Sequence, residues 1–497
     1  MNRLNRCRYF MKSLQRRNKK RGLRMAHNAE STQTESRARV TLLEIHGRLE
    51  PEPRMHYTSH TFTLPAGAAR VGVVFRYHRK HRVQMYTSLH SPDGFRGNAM
   101  DLSAYGDLQT ELWVSPNDSS PGGIAGPLPA GAWRVQVDID HLNEPAEYLL
   151  RVYAELGPVE TAQADPYPAG HVVKAAAGWY RGELHCHTNE SDGRKPVDEV
   201  IQAAEEVGLD FLSITDHFTI SQWRRMGQRI TAPLALIRSC EITSHHGHAN
   251  LQGIREWVDV YVDRPDWSMN QAADAARAQD GLFCVNHPFS GGCSWKDFDF
   301  DWRKADLMEI YHALEGPNNN LQLAWWDHLL NQGLRIIGVA GTDSHNPWEG
   351  SHRLGRLVTW VHAAELSERG ILDGLRTGNA FVSRGAELRF QAENARGETA
   401  EMGGRLAGAN RPVTFSVWYR SERPLRLFIK KDGLLFNSLT LEDSQTGWRC
   451  FTFSDRCSRP GFYRVELHEA YNHPDFPGIE WQDFSTMQAL SNPIWIE

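Results

Sequence analysis

Hydrophobic and polar positions follow different rhythms along the chain, and each rhythm marks a region. Between residues 36 and 155, Trp133, Val135, Val137 and Ile139 alternate with Arg134, Gln136, Asp138 and Asp140, the period-two pattern of a half-buried strand. Proline and glycine interrupt this region at short intervals, which predicts a β-sandwich. Leu-Pro-Ala-Gly-Ala occurs from Leu64 and again from Leu128, each time leading into a strand-like run. Two such distant copies predict shared turn chemistry inside one sandwich rather than a solenoid. No aromatic platform for carbohydrate stands out, which favours a packing role for this domain.

Residues 156–178, with Pro158, Pro166 and Pro168, read as a linker. Beyond it the rhythm becomes alternating β and α. Strand-like runs fall at 182–187, 210–216, 234–243, 281–287, 306–312, 335–342 and 357–361. Val197, Val200, Ile201, Ala204 and Val207 have helical spacing and stop at Gly208; Met269, Ala272, Ala273 and Ala276 repeat it after a Ser268 cap and before Gly281. About seven such units predict an α/β region, 179–385, built as a closed or nearly closed parallel barrel. From residue 386 to 497 alternation returns: Val413, Phe415, Val417 and Tyr419 share one face, and Asp432-Gly433 marks a hairpin turn. This is the pattern of a second, C-terminal β-sandwich.

A chain with 40% hydrophobic and 23% charged residues is ordinary for a globular protein and excludes bulk disorder. No apolar run has the length of a membrane span. The tail, residues 1–35, is different: residues 1–25 carry ten Lys/Arg and no acid, so the formal charge of −5 becomes about −15 on residues 26–497. So acidic a body is a poor partner for nucleic acid, except as a small nucleotide-type substrate. The basic tail lacks the apolar core of a secretory signal and reads as disordered, or as translation begun upstream of a true start at Met25. Binding of nucleic acid or an anionic surface is its other reading. The seven cysteines lack metal-finger spacing. Cys450 and Cys457 could meet across a hairpin, but free thiols and a cytoplasmic location are the expectation.

Chemistry concentrates at the C-terminal ends of the predicted barrel strands. Arg181-Gly-Glu-Leu-His-Cys-His-Thr188 places His185 and His187 two apart on a strand, so both imidazoles point to one side. Asp192 follows in a Ser-Asp-Gly turn. Other strands run into Asp216-His217, into Glu241, into His287-Pro288 and into Asp343-Ser-His345, while Gly247-His248-Ala-Asn250 opens a further one. One strand-end histidine alone is an ordinary core residue. So many ionisable strand ends at one face are costly to bury unless paired or metal-bound. Cys186, between two candidate ligands, faces the opposite side and reads as packing. His56, His60, His78, His81 and His90 lie in the first β region without acidic partners and read as bystanders. His245 and His246 compete with His248 as ligands.

His-Cys-His with Ser-Asp-Gly, Thr-Asp-His, the strand-end Glu, Asn-His-Pro and Thr-Asp-Ser-His occur in the order of the PHP (polymerase and histidinol phosphatase) superfamily, which residues 179–385 resemble. Gly-His-Ala-Asn, and Ser491-Asn-Pro-Ile-Trp495 after a β domain, resemble its carbaryl-hydrolase-like (CehA/McbA) branch. The amidohydrolase superfamily also begins with His-x-His in a barrel but lacks the Thr-Asp-His and Asp-x-His arrangement. The resemblance implies a distorted PHP-type βα (TIM-like) barrel, here flanked by N- and C-terminal β-sandwiches, holding two or three divalent metal ions. His185, His187, Glu241 and Asp343 would surround the first. Glu241 would bridge to a second, held by His248 and His287. Asp192, His217 and His345 would hold a third, although many relatives carry His where Asp192 stands. Asp216 would orient an imidazole. Imidazole and carboxylate donors suit zinc, manganese or iron.

These features predict a metal-dependent hydrolase that uses metal-activated water, with Glu241, Asp343 and His217 in the catalytic roles and a small-molecule substrate. A small phosphate ester is favoured. Arg224, Arg225, Lys296, Arg353 and Arg356 are the candidate phosphate clamps. The rival substrate is a carbamate, ester or amide, for which Trp223, Phe289, Trp295 and Trp348 could line an apolar pocket. A third reading is a catalytically inactive binding or regulatory protein. Its mark would be lost ligands, and every expected position keeps a competent side chain. Substrate identity and oligomeric state are not written in the sequence.

Overall fold

The computed structural model describes residues 38–52, 57–101, 105–158, 167–168, 170–258, 268–313, 316–441, 447–470 and 486–497. The basic tail, His56 and Pro166 lie outside them. The first region forms two four-stranded antiparallel sheets. One has the order Ala38–Leu49, Ala146–Leu156, Ala68–Arg79, Gly106–Val114; the other runs Tyr57–Leu64, Gly131–Leu142, Val83–Ser91, Gly94–Ala99. Val71, Val73 and Phe75 from the first share one core with Trp133, Val135 and Val137 from the second. The two Pro-Ala-Gly turns open an inner strand in each sheet, and Gly67 and Gly131 both take positive φ there, at 77° and 132°.

The polar face of Gly131–Leu142 is not a solvent face. Gln136 and Asp138 are 2% and 4% exposed. They are satisfied within the sheet: Gln136 Nε2 donates to Asp138 at 2.8 Å and Ser88 Oγ donates to it at 2.5 Å.

In the layer that carries the histidines, Gly178–Cys186, Phe211–Ile214 and Ala235–Ser244 run parallel, as do Leu282–Val285, Leu307–His312 and Ile337–Gly341. Between the triplets, Gly247–Gln252 pairs antiparallel with both Ala235–Ser244 and Leu282–Val285. The expectation of an all-parallel barrel therefore gives way to a mixed sheet. A Ser244–Gly247 turn is too short for a crossover, so it can only make a hairpin. The sheet curls far enough that Ser344, just past Ile337–Gly341, makes a parallel bridge back to Cys186 on the first strand. The described residues are mainly strand, with five α-helices, rather than evenly α/β. Two of them, Val197–Glu206 and Met269–Ala278, follow the predicted spacing. Ser268 N–H donates to Gln271 Oε1 at the start of the second. Val207 falls just outside the first helix and is exposed. Within the predicted linker, Val172–Lys174 pairs with Leu366–Ser367.

The C-terminal segment makes a four-stranded sheet, Thr399–Glu401, Glu387–Asn394, Pro412–Arg420, Arg449–Arg456, that buries Val413, Phe415 and Val417 against Leu427, Val465 and Leu467. These last residues belong to strands continuous with the histidine layer, through Val358–Ala363, Ala380–Ser383 and Met487–Ser491. The second sandwich thus shares one of its sheets with the site. Asn492 fixes that junction: its side chain accepts from Gly338 N–H at 2.8 Å and donates to the Gly338 and Ala380 carbonyls at 2.9 and 3.0 Å. Asp432 and Gly433 both have positive φ, as a two-residue hairpin turn requires. Among the described cysteines none is disulfide-bonded, and Cys457 is buried against Tyr463. No helix among the described residues is long and apolar enough to cross a membrane.

Candidate metal centre

Each strand of the curled sheet ends by turning an ionisable side chain into one buried cluster. Four atoms meet at its centre. His185 Nε2 and His187 Nε2 both lie 3.4 Å from Glu241 Oε2; Asp343 Oδ1 lies 3.4 Å from the first and 2.9 Å from the second. Imidazole and carboxylate donors at such spacings can hold a cation, and the ligand atoms of His185, His187 and Asp343 all lie within 4.8 Å of one another. His185 Nε2 and His187 Nε2 are buried without a hydrogen-bond partner, and Glu241 Oε2, also buried, lies 3.0 Å from His217 Nδ1; unpaired buried imidazole nitrogens are costly unless a cation completes the arrangement.

The other oxygen of Glu241 faces a different set. Glu241 Oε1 lies 3.2 Å from His248 Nδ1 and 3.6 Å from His287 Nε2, and it accepts a hydrogen bond from Asn286 Nδ2 at 2.8 Å. His245 lines the adjoining cavity, and His246 is exposed. A third group comprises His187, Asp192, His217 and His345, whose ligand atoms lie within 4.8 Å of one another. In it Asp192 Oδ2 is 3.1 Å from His345 Nε2 and Asp192 Oδ1 is 3.6 Å from His217 Nε2. All nine candidate ligands are thus gathered in one place.

The local backbone is shaped for this convergence. His287 and Asp343 themselves, and Phe218 and Ala313 just after His217 and His312, have positive φ of 23°, 50°, 50° and 39°. Such non-glycine conformations are costly and cluster at functional sites.

The electrostatics match a cation site. Burial alone would raise the Glu241 and Asp343 carboxyls, but the surrounding histidines outweigh it and hold both well below the usual carboxylate range. Burial, with His217 and His345 alongside, lowers His187 to about 4, leaving a neutral imidazole able to bind metal. His217, despite burial, is raised to about 8 by Glu241 and Asp192.

Two residues with no assigned role in the sequence belong to the site. Glu309 Oε1 lies 2.7 Å from His185 Nδ1, while Glu309 Oε2 accepts from the His287 backbone N–H and lies 3.2 Å from His312 Nδ1. His185, Glu309 and His312 form a further potential metal group. Leu307–His312 is an apolar strand with a buried Glu and a terminal His, the same signal that marked the other strands. Asp216, expected to orient an imidazole, instead accepts from Thr188 N–H, Thr188 Oγ1 and Ser191 Oγ at 2.6–2.7 Å. It clamps the loop between His187 and Asp192. Burial raises its carboxyl to about 6 despite these bonds. Cys186 is buried in the core, as its place in the strand alternation requires.

A cavity of about 730 Å³ opens above the cluster, lined by Asp192, His217, His248, His287, Asp343 and His345. Of the candidate phosphate clamps only Lys296 lines it. Arg353 and Arg356 line a separate cavity; Arg224 binds the Asn117 carbonyl and pairs with Asp118; Arg225 lies 3.6 Å from Glu190. None of Trp223, Phe289, Trp295 and Trp348 is among its lining residues. Trp223 and Trp295 pack with the core instead. Of the bystander histidines, His60 meets Tyr148, His90 packs on Phe95, and exposed His78 pairs with Asp107 at 2.8 Å, an acidic partner the sequence did not suggest.

No family model matches the chain, and no curated protein does. Among solved structures, a two-domain protein of Bacteroides vulgatus containing a predicted PHP-like metal-dependent phosphoesterase is 16% identical, with a TM-score of 0.38 over 64% of this chain and 98% of that one. A Bifidobacterium adolescentis protein whose name proposes a metal-dependent phosphoesterase is 15% identical, at 0.27 over 33% of this chain and 87% of its own. An amidohydrolase of Chromobacterium violaceum is 14% identical, at 0.27 over 35% of this chain and 90% of its own.

Proposed function

We propose that the chain is a metal-dependent hydrolase of the PHP type, built on a distorted barrel and acting on a small phosphate ester. The observation that carries this reading is the two-sided placement of Glu241. One oxygen faces His185 and His187, the other faces His248 and His287. A carboxylate between two imidazole sets suits a pair of cations, and a salt bridge to a single protonated histidine would need only one side. Asp192, His217 and His345 supply donors for a third ion.

The chemistry that divalent ions would supply here is activation of water near neutral pH and neutralisation of charge developing on the ester. The chain's own residues hold the arrangement. Glu309 fixes the tautomer of His185 by accepting a hydrogen bond from its Nδ1–H. Asn286 holds Glu241 from behind, and Asp216 holds the loop that carries Asp192. Lys296 brings a fixed positive charge to the cavity. A phosphate ester fits this lining better than an aryl carbamate, because the four candidate aromatic side chains are absent from it.

The test is substrate ranking with zinc, manganese or iron loaded. Release of p-nitrophenol from p-nitrophenyl phosphate or bis(p-nitrophenyl) phosphate is expected to exceed that from p-nitrophenyl acetate or a matched carbamate. The reverse ranking would assign the site to carbamate or ester chemistry, and no release from any of them would point to a binding protein.

A further inference from the structure

The cavity above the cluster has a wall that does not belong to the histidine layer. Gln84, Tyr86, Asp140 and His141, all from the N-terminal sandwich, line it. Successive strand residues normally face opposite ways, yet Asp140 and His141 are consecutive. A register shift explains this: Gln84 pairs with His141 but Met85 pairs with Ile139, so Asp140 is an extra residue in the strand. Bulges of this kind re-aim side chains and recur beside active sites. The sandwich that carries this wall touches the loops of Asp192 and His217 and the segment that follows Gly247–Gln252. Gly122 N–H donates to Glu190 at 3.1 Å, Thr219 Oγ1 donates to the Gly122 carbonyl at 3.2 Å, and Phe95 stacks on Trp257 at 4.6 Å.

We infer that this wall is the leaving-group subsite and that it selects a hydroxyl-bearing group, as in the phosphate ester of a sugar or polyol. The inference rests on the phosphate-ester reading of the metal centre. Gln84 Nε2 and His141 Nδ1 both approach Asp140 Oδ2, and among the described residues no hydrogen bond reaches Oδ1. That oxygen is available to accept from a hydroxyl, and His141 lines the cavity next to it in sequence. An apolar leaving group would bury the Asp140 carboxylate without pairing Oδ1. A second anion would meet the charge of Asp140. An amine would meet Lys296 across the cavity.

The experiment follows phosphate release from ribose 5-phosphate, glycerol 3-phosphate, phosphoethanolamine and p-nitrophenyl phosphate by the metal-loaded full chain and its Asp140→Ala variant. Asp140 sits on a rim, so melting temperature should be unchanged. The wild type should prefer a polyol ester to phosphoethanolamine by at least about tenfold in kcat/KM. Asp140→Ala should lose at least about tenfold on the polyol ester, chiefly through KM, because a site built to bond a hydroxyl discriminates strongly. Its loss on p-nitrophenyl phosphate, whose leaving group brings no hydroxyl to the wall, should be markedly smaller. Turnover of p-nitrophenyl phosphate without polyol preference, or an equal loss on every ester, would overturn the wall while leaving the hydrolase standing. No phosphate release from any ester would overturn both.

Discussion

Glu309 binds the far nitrogen of His185 at 2.7 Å and, through its other oxygen, the backbone N–H of His287 at 2.8 Å. One carboxylate on the Leu307–His312 strand thereby orients the His185 imidazole and anchors the backbone of His287, two residues that face opposite oxygens of Glu241. Groups behind a metal ligand typically contribute about 10–100-fold to metal affinity. Glu309→Ala should weaken metal binding by about that factor, read by competition with a chelating dye. Retention of wild-type affinity would make Glu309 a simple core group.

Gly341 is what lets that carboxylate approach. A Cβ there would stand 1.9 Å from Glu309 Oε1 and 2.8 Å from the His185 Cβ. Gly341→Ala should therefore reproduce the metal loss of Glu309→Ala and also cost about 1–3 kcal/mol from overpacking. Metal analysis and thermal unfolding of the two variants side by side check this.

The residues that the structure gathers were legible in the sequence as candidates, through strand periodicity, strand ends and the motif resemblance. His185, His187, Glu241 and Asp343 needed only an apolar run followed by a polar terminus. Glu309 was hidden because it lies within an apolar strand, before the terminus, and because a bulge between it and Tyr311 changes which way it faces. The mixed sheet was hidden too. Gly247-His248-Ala-Asn250 reads as a strand, but its direction depends on the Ser244–Gly247 turn rather than on periodicity. Gln136 and Asp138 showed the alternation of a solvent-facing strand, yet both are buried and bonded within their own sheet.

Asn492 offers a contrast to the site variants. Asn492→Ala would take the side-chain partner from Gly338 N–H and from the Gly338 carbonyl, while the Ala380 carbonyl keeps the Asn492 backbone N–H at 3.3 Å, at about 1–3 kcal/mol for each group left unsatisfied. Melting temperature should fall by several degrees while metal content of the folded protein is unchanged. A coupled loss of metal would mean that this junction sets the geometry of the centre.

Chelation gives a further check. Ions that bind the folded chain alone stabilise it by mass action, about 2.7 kcal/mol at a hundredfold excess over Kd. Removing them with EDTA should lower the melting temperature, and returning zinc or manganese should restore it. An unchanged transition would argue against a built site.

The most direct measurement is metal stoichiometry, by elemental analysis, of the protein purified without chelator and of its Glu241→Gln variant. Glu241 alone faces both imidazole sets. The wild type should hold more than one divalent ion per chain. Glu241→Gln should fall below one with its fold intact, while the control His78→Ala keeps the full complement. Fewer than one ion in the wild type after reconstitution with zinc, manganese and iron, or identical content in all three proteins, would contradict a bridged metal centre.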